Sequence, residues 1–356
     1  MKITFVVPGL NLTGGLRVIS IYADLLSKRG HEVTVVSPSQ RIPSFKEKIK
    51  SFFNWKGYKF QTIFDDSFFE NSNFEVNLLK KNKEVTASDV PDADVIIATF
   101  WITAEWVALF PPNKGRKVYF IQHHEIHYWL PNQRVKATFS LPFKKIVVAK
   151  WLASIMENDY QQDDVSIVTN AVDHELFYSP ERSKNEVTVF GTMYSQRQYK
   201  GTQLAFDAFC QLKRQRSDIK LIVFGIEPSE KVERLPIGAQ YFSRPNQEQI
   251  REVYNQCDAW LFTSSSEGFG LPILEALSCR TPVIGTRSGA APDLLSSGGG
   301  ILVDIGDVEG LLSAMEYICN LDNKEWENMS NSAYKEALAH RWEEKVVEFE
   351  KVISIE

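Results

Sequence analysis

The chain has 356 residues, 44% hydrophobic and 24% charged, which is the composition of a soluble globular protein and a length that suggests two domains. Its formal net charge of −5 excludes the global basic field of a nucleic-acid binder. No stretch reads as a signal peptide or a membrane span, and four scattered cysteines without a C-x-x-C pair read as reduced, structural residues of a cytoplasmic protein.

In chain order, Ile3–Val7 is a continuous apolar run of the kind that forms a buried strand. The loop P-G-L-N-L-T-G-G-L-R at 8–17 follows it. It matches neither G-x-G-x-x-G nor G-x-x-x-x-G-K-[ST], which argues against dinucleotide binding and P-loop chemistry. Gly14 and Gly15 stand at a helix start, where a bare backbone lets a phosphate or a sugar approach; the alternative is a tight turn that needs positive φ. Val18, Ile19, Tyr22, Leu25 and Leu26 follow at helical spacing, Gly30 reads as a helix C-cap, and Glu32–Val36 as the next strand. This is a βαβ unit, and it implies a parallel sheet with helices on both faces. Residues 41–60 interleave six cations with aromatics and a single acid. Such a segment suits an anionic membrane surface and suits equally an acceptor-side loop with snorkelling lysines.

Val95–Ala98, Val118–Ile121 and Lys145–Val148 read as further strands of the first sheet. Gln122-His123-His124-Glu125 follows one of them. His123 and His127 are four apart, but a metal site would need a helix here and a third ligand, and H-E-I-H is not H-E-x-x-H, so no metal site is predicted. A second α/β series begins after Ile167–Val168, with short strands at Thr188–Gly191, Leu221–Gly225, Ala259–Phe262 and Val283–Gly285 and helical segments at 202–215 and 247–255. The segment G-T-M-Y-S-Q-R-Q-Y-K-G at 191–201 joins a strand to a helix. Its Arg197 and Lys200 can reach one anionic ligand and stabilise a leaving diphosphate, or they are two solvated cations. The last run, Trp326–Ile355, reads as helical and charged, with Trp342, Val346 and Phe349 on one side.

The most informative stretch is E-G-F-G-L-P-I-L-E at 267–275. Glu267 and Glu275 flank a loop-to-helix junction. Gly268 and Gly270 permit a tight turn that exposes backbone N–H groups, and Pro272 fits the first turn of a helix. A helix N-terminus attracts phosphate, and a carboxylate beside it accepts hydrogen bonds from sugar hydroxyls. The two carboxylates can hold the two ends of a sugar joined through phosphates to a ribose.

This stretch, with Y-N-Q-C-D-A-W-L-F-T-S-S-S before it and A-L-S-C-R-T-P-V-I-G-T after it, resembles the E-x(7)-E motif of family 4 retaining glycosyltransferases. That resemblance implies the GT-B fold, with two Rossmann-like doubly wound α/β domains facing a cleft. Residues 1–168 would form the acceptor-side domain and 169–337 the nucleotide-sugar donor domain, with a C-terminal helix at 338–356 crossing back to the first. By resemblance, Glu267 contacts the transferred sugar and Glu275 the ribose, while Gly268, Phe269, Gly270 and Leu271 line the donor. Gly14 and Gly15 lie near the donor diphosphate, and His123, or His124 after it, faces the donor sugar. Lys200-Gly201 matches the family's Lys before a second glycine, but Thr192 stands where an Arg is usual, which leaves Arg197 as the second cation. V-T-N-A-V-D-H at 168–174 resembles the P-N-G-V-D segment, with Ala171 in place of the usual Gly. The region 241–249 would border the nucleotide base.

The implied reaction moves a sugar from a nucleotide diphosphate sugar to an acceptor hydroxyl with retention of configuration and without a metal or other cofactor. Its implied setting is polysaccharide or glycolipid assembly in the cytoplasm, at the inner face of the membrane if 41–60 binds lipid. A sugar-nucleotide epimerase on the same fold, and a nucleotide-sugar binding module without activity, are the competing readings. Nucleotide release measured with and without acceptor separates the three.

Overall fold

The computed structural model describes residues 1–10, 13–39, 68–69, 72–80 and 83–354. Residues 41–60, the cationic aromatic segment, lie outside them. The chain divides into two compact units, Met1–Val168 with Val346–Glu356, and Thr169–Lys345.

In unit 1 the strands are β1 (Lys2–Val6), β2 (Glu32–Ser37), β3 (Glu75–Leu78), β4 (Val95–Ala98), β5 (Arg116–Ile121), β6 (Lys144–Val147) and β7 (Val165–Ile167). They form a parallel sheet in the order β3-β2-β1-β4-β5-β6-β7. The sequence runs outward from β1 to β3, then returns to the other side of β1 at β4. That reversal between β1 and β4 is a topological switch point, where open α/β sheets bind ligands beyond the carboxyl ends of their strands.

Helix Trp342–Ser354 completes the core of this unit. Phe349 stacks on Tyr22 at 4.4 Å between ring centroids and meets Phe120 edge-on at 5.2 Å. Glu350 accepts from the Arg29 guanidinium at 2.6 Å and pairs with His31 at 2.8 Å. The expected single C-terminal run is two helices, Asn323–Leu338 and Trp342–Ser354. The break falls where the chain leaves helical geometry to make a parallel bridge between Arg341 and Val172.

Unit 2 repeats the plan. Its strands are β8 (Thr188–Tyr194), β9 (Ile219–Gly225), β10 (Gln240–Ser243), β11 (Ala259–Phe262), β12 (Val283–Thr286) and β13 (Gly300–Val303), in the parallel order β10-β9-β8-β11-β12-β13. The switch point lies between β8 and β11, in register Ala259 to Phe190 through Leu261 to Thr192. Strand residues such as Phe190, Leu221, Val223, Leu261 and Ile284 are buried in a core that helices Thr202–Gln215 and Val308–Asn320 cover. At the amino ends of the strands, Asp258 accepts from the backbone N–H groups of Asn185 and Val189 at 3.0 and 2.8 Å. Burial raises its carboxyl above the usual range. This ties the strand entry to the core, away from the switch point.

Candidate active site

In unit 2 the turn after β8 and the turn after β11 meet at the switch point. Gly201 makes this possible. It is left-handed, at φ 67°, and a Cβ on it would lie 1.9 Å from the Thr263 carbonyl oxygen, so only glycine allows the approach. Thr263 Oγ1 donates to Gly201 O at 2.8 Å, and Ser265 N donates to Tyr199 O at 2.7 Å. These bonds stitch the two turns together and bring Lys200 Nζ to 2.6 Å from Glu267 Oε1. Both side chains are largely shielded from solvent, so the pair is worth more than an exposed one.

Arg197 is placed differently. It is exposed on the same turn, with Nη1 donating to the Tyr199 hydroxyl at 2.8 Å. Thr192, at the position where the family resemblance expects an Arg, is 1% exposed, and its hydroxyl donates to Leu261 O at 3.0 Å. That side chain pins β8 to β11 and leaves no room there for a guanidinium.

Beyond Glu267 the chain passes through Gly268 and the buried Phe269 to Gly270, whose φ of 99° caps helix Leu271–Ser278 at its N-terminus. A Cβ at Gly270 would meet Phe262 Cζ at 2.9 Å, so the turn is folded tightly onto the end of β11. Gly289 closes it from the other side, with Ala290 N donating to Phe269 O at 2.8 Å. Glu275 lies in the second turn of the helix, 7% exposed, and its Oε2 accepts from the Tyr254 hydroxyl at 3.1 Å. Tyr254 is wedged against Trp260 at 4.7 Å. Sequence reasoning did not single out Tyr254; its helical spacing reads as ordinary core. Glu267, Lys200 and residues 268–271 are thus assembled at the carboxyl ends of β8 and β11, with Glu275 behind them.

In unit 1 the switch point gathers a second set. Gly14 and Gly15 lie in the first turn of helix Gly14–Lys28, and neither has a positive φ. Turn geometry therefore demands glycine at neither position. A Cβ on Gly15 would meet the Gln122 amide at 3.5 Å, and Gln122 Nε2 donates to Gly15 O at 3.0 Å. Thr99 Oγ1 donates to Val6 O at 2.8 Å and joins the ends of β1 and β4.

His123, after β5, lies edge-on to Trp151 at 6.4 Å, with the His127 ring 5.2 Å away. His124 pairs through Nε2 with the Tyr160 hydroxyl at 2.9 Å, and burial lowers its pKa and that of His127. Glu125, unremarked by spacing or motif, is 8% exposed. Its Oε2 accepts from Trp101 N at 3.1 Å, at the start of helix Trp101–Ala108, and burial holds its carboxyl well above the usual carboxylate range. Among the described residues no group of three or more His, Cys, Asp or Glu is set to hold a metal ion.

Residues 177–336 match the family model described as glycosyl transferases, group 1, and this span contains Lys200, Glu267 and Glu275. The chain is 26% identical over 199 residues to N-acetyl-alpha-D-glucosaminyl L-malate synthase of Bacillus anthracis, covering 52% of this chain and 51% of that protein. It is 26% identical over 194 residues to the lipopolysaccharide core biosynthesis mannosyltransferase LpcC of Rhizobium leguminosarum bv. viciae, covering 47% of this chain and 55% of that one. The chain thus spans about half the length of these curated relatives. The structure of Anabaena Alr3699/HepE in complex with UDP and glucose superposes with a TM-score of 0.75 at 15% identity, covering 99% of both chains. The fold is GT-B. At that identity the likeness concerns fold alone, and function rests on the site.

Proposed function

We propose that the chain is a retaining glycosyltransferase of family 4 that moves a sugar from a nucleotide diphosphate sugar to an acceptor hydroxyl. The observation that carries this reading is the Lys200–Glu267 pair at the unit 2 switch point, inside the span matched by the family model.

In this reading, Glu267 accepts hydrogen bonds from the transferred sugar and Glu275 from the ribose. Lys200, Arg197 and the N-terminus of helix Leu271–Ser278 stabilise the diphosphate as charge grows on it. The bond between the anomeric carbon and the phosphate oxygen breaks, and the acceptor oxygen bonds to the same face of that carbon. The acceptor proton passes to a leaving phosphate oxygen. The reading calls for no divalent ion. In unit 1 it assigns the backbone of Gly14 and Gly15 and the ring of His123 to substrate.

The relatives' roles in lipopolysaccharide and glucosaminyl chemistry support a setting in polysaccharide or glycolipid assembly. UDP bound to the Anabaena protein makes UDP-sugars the first donors to test. Four free cysteines fit a cytoplasmic location. The reading keeps a peripheral contact with anionic lipid through 41–60, which vesicle sedimentation tests.

The deciding experiment measures nucleotide release from a panel of nucleotide sugars with and without acceptor extracts. Transfer requires both substrates. Lys200→Ala should lower turnover by about 10²-fold or more while binding of intact donor changes little, because its charge acts on the departing diphosphate. Wild-type turnover in that variant would refute the assignment.

A further inference from the structure

We propose that Gln122 and Glu125 are the positioning residues of His123, fastening the segment after β5 to the helix starts on either side of the unit 1 switch point. The inference rests on the transferase reading for the role of His123, but its geometry stands by itself.

After Ile121 the chain has no regular structure through His127. A segment of this kind holds a side chain in place only if something ties it down. Besides the His124–Tyr160 bond, two side chains tie it to the helices at the switch point. Gln122 donates from Nε2 to the carbonyl of Gly15, in the first turn of the helix that follows β1, at 3.0 Å. Glu125 accepts at Oε2 from the N–H of Trp101, the first residue of the helix that follows β4, at 3.1 Å. β1 and β4 are paired neighbours. His123 therefore sits between two anchors, one on each side of the switch point. The tight turn from His124 O to Ile126 N, at 2.8 Å, leaves the short segment little slack.

The two anchors use opposite chemistry. Gln122 must donate, since its partner is a carbonyl. Glu125 must accept, since its partner is an N–H that lacks an intrahelical partner. Its carboxyl oxygen lies at the start of that helix, where such N–H groups have no backbone acceptor. An amide can replace a carboxyl as acceptor, but a carboxylate cannot replace an amide as donor. Two isosteric exchanges should therefore have opposite outcomes.

The test compares Glu125→Gln, Glu125→Ala, Gln122→Glu and Gln122→Ala in the full-length chain. Two readouts are steady-state turnover with a nucleotide sugar and the imidazole resonance of His123, assigned by its loss in His123→Gln. Glu125→Gln should keep turnover within about threefold and leave the resonance in place. Glu125→Ala, Gln122→Ala and Gln122→Glu should each lower kcat by about 10- to 100-fold with KM for the donor little changed, and should shift or broaden the resonance, as expected for a catalytic group displaced by up to about 1 Å.

Equal behaviour of Glu125→Gln and Glu125→Ala would overturn the proposal. So would a Gln122→Glu variant with wild-type turnover and an unmoved resonance. If the wild-type protein turns over no nucleotide sugar, the transferase reading falls, and the resonance, which needs no substrate, still decides whether these residues position His123.

Discussion

Replacing Gly201 by alanine puts a methyl group against backbone directly behind the Lys200–Glu267 pair. At φ 67° an alanine is left-handed, which costs about 1–2 kcal/mol. Its Cβ would also lie 1.9 Å from the Thr263 carbonyl oxygen and 2.7 Å from its carbon. Neither atom can move aside by a rotamer change, so overpacking adds about 1–3 kcal/mol unless the turn shifts. Gly238 is the matched control. It has φ 79° with nothing within 4 Å of an added Cβ, so Gly238→Ala carries the backbone strain alone.

The difference between the two variants in denaturant unfolding should therefore be about 1–3 kcal/mol, with Gly201→Ala the less stable. If the turn shifts to relieve the clash, it breaks the bonds from Thr263 to Gly201 and from Ser265 to Tyr199 and carries Lys200 away from Glu267. Turnover then falls by about 10²-fold while Gly238→Ala stays active. Equal stability and equal turnover in the two variants would refute the argument that Gly201 sets the approach of the two turns.

Tyr254→Phe keeps the packing on Trp260 but removes the hydroxyl that donates to the buried Glu275, so the unfolding free energy should fall by about 1.5–3 kcal/mol in chemical denaturation; unchanged stability would mean that this bond contributes nothing to the fold. Phe349→Ala removes the ring that stacks on Tyr22 and should destabilise unit 1 by about 3–5 kcal/mol in chemical unfolding. A loss below ~1 kcal/mol would mean that the C-terminal helix is not part of the core. Burial raises the folded-state pKa of Glu125 above its ordinary value of 4.5. The folded state therefore holds a proton that the unfolded chain releases, and the stability this lends is complete below pH 4.5 and lost as pH rises through the folded value. Glu125→Gln cannot titrate, so its unfolding free energy should decline less than that of the wild type as pH rises above 4.5; parallel profiles would contradict the burial argument.

The central strands β1, β4, β5, β8, β9, β11 and β12 are legible as continuous apolar runs, because a parallel strand with helices on both faces must be apolar along its whole length. β3 and β10, each at a sheet edge with a half-exposed mixed pattern, give no such signal and escape the sequence reading. Glu267, Glu275 and Lys200 are legible one by one, from a motif and a loop. Their meeting is not, since Lys200 and Glu267 stand 67 positions apart and come together only through the pairing of β8 with β11. Glu125 shows the limit most clearly. In the sequence it is one more acid in a polar loop. Only the fold reveals that it is buried against a helix N-terminus, and no periodicity marks that position.

The two-part composition of unit 1 fixes an order of events during synthesis. Its sheet is complete by Val168, yet the helix that covers Tyr22 and Phe120 belongs to the segment from Val346 onward. Every residue of unit 2 is made in between. A growing chain therefore carries an apolar surface on unit 1 for the whole time the ribosome spends on unit 2, and such surfaces invite chaperones and misassembly. Unit 2 is a single uninterrupted stretch and has no such wait. Deleting residues 346–354 would strip the ring of Phe349 from Tyr22 and Phe120 in unit 1 while removing no residue of unit 2, so damage to one stretch of the chain is felt by a unit begun more than 300 residues earlier.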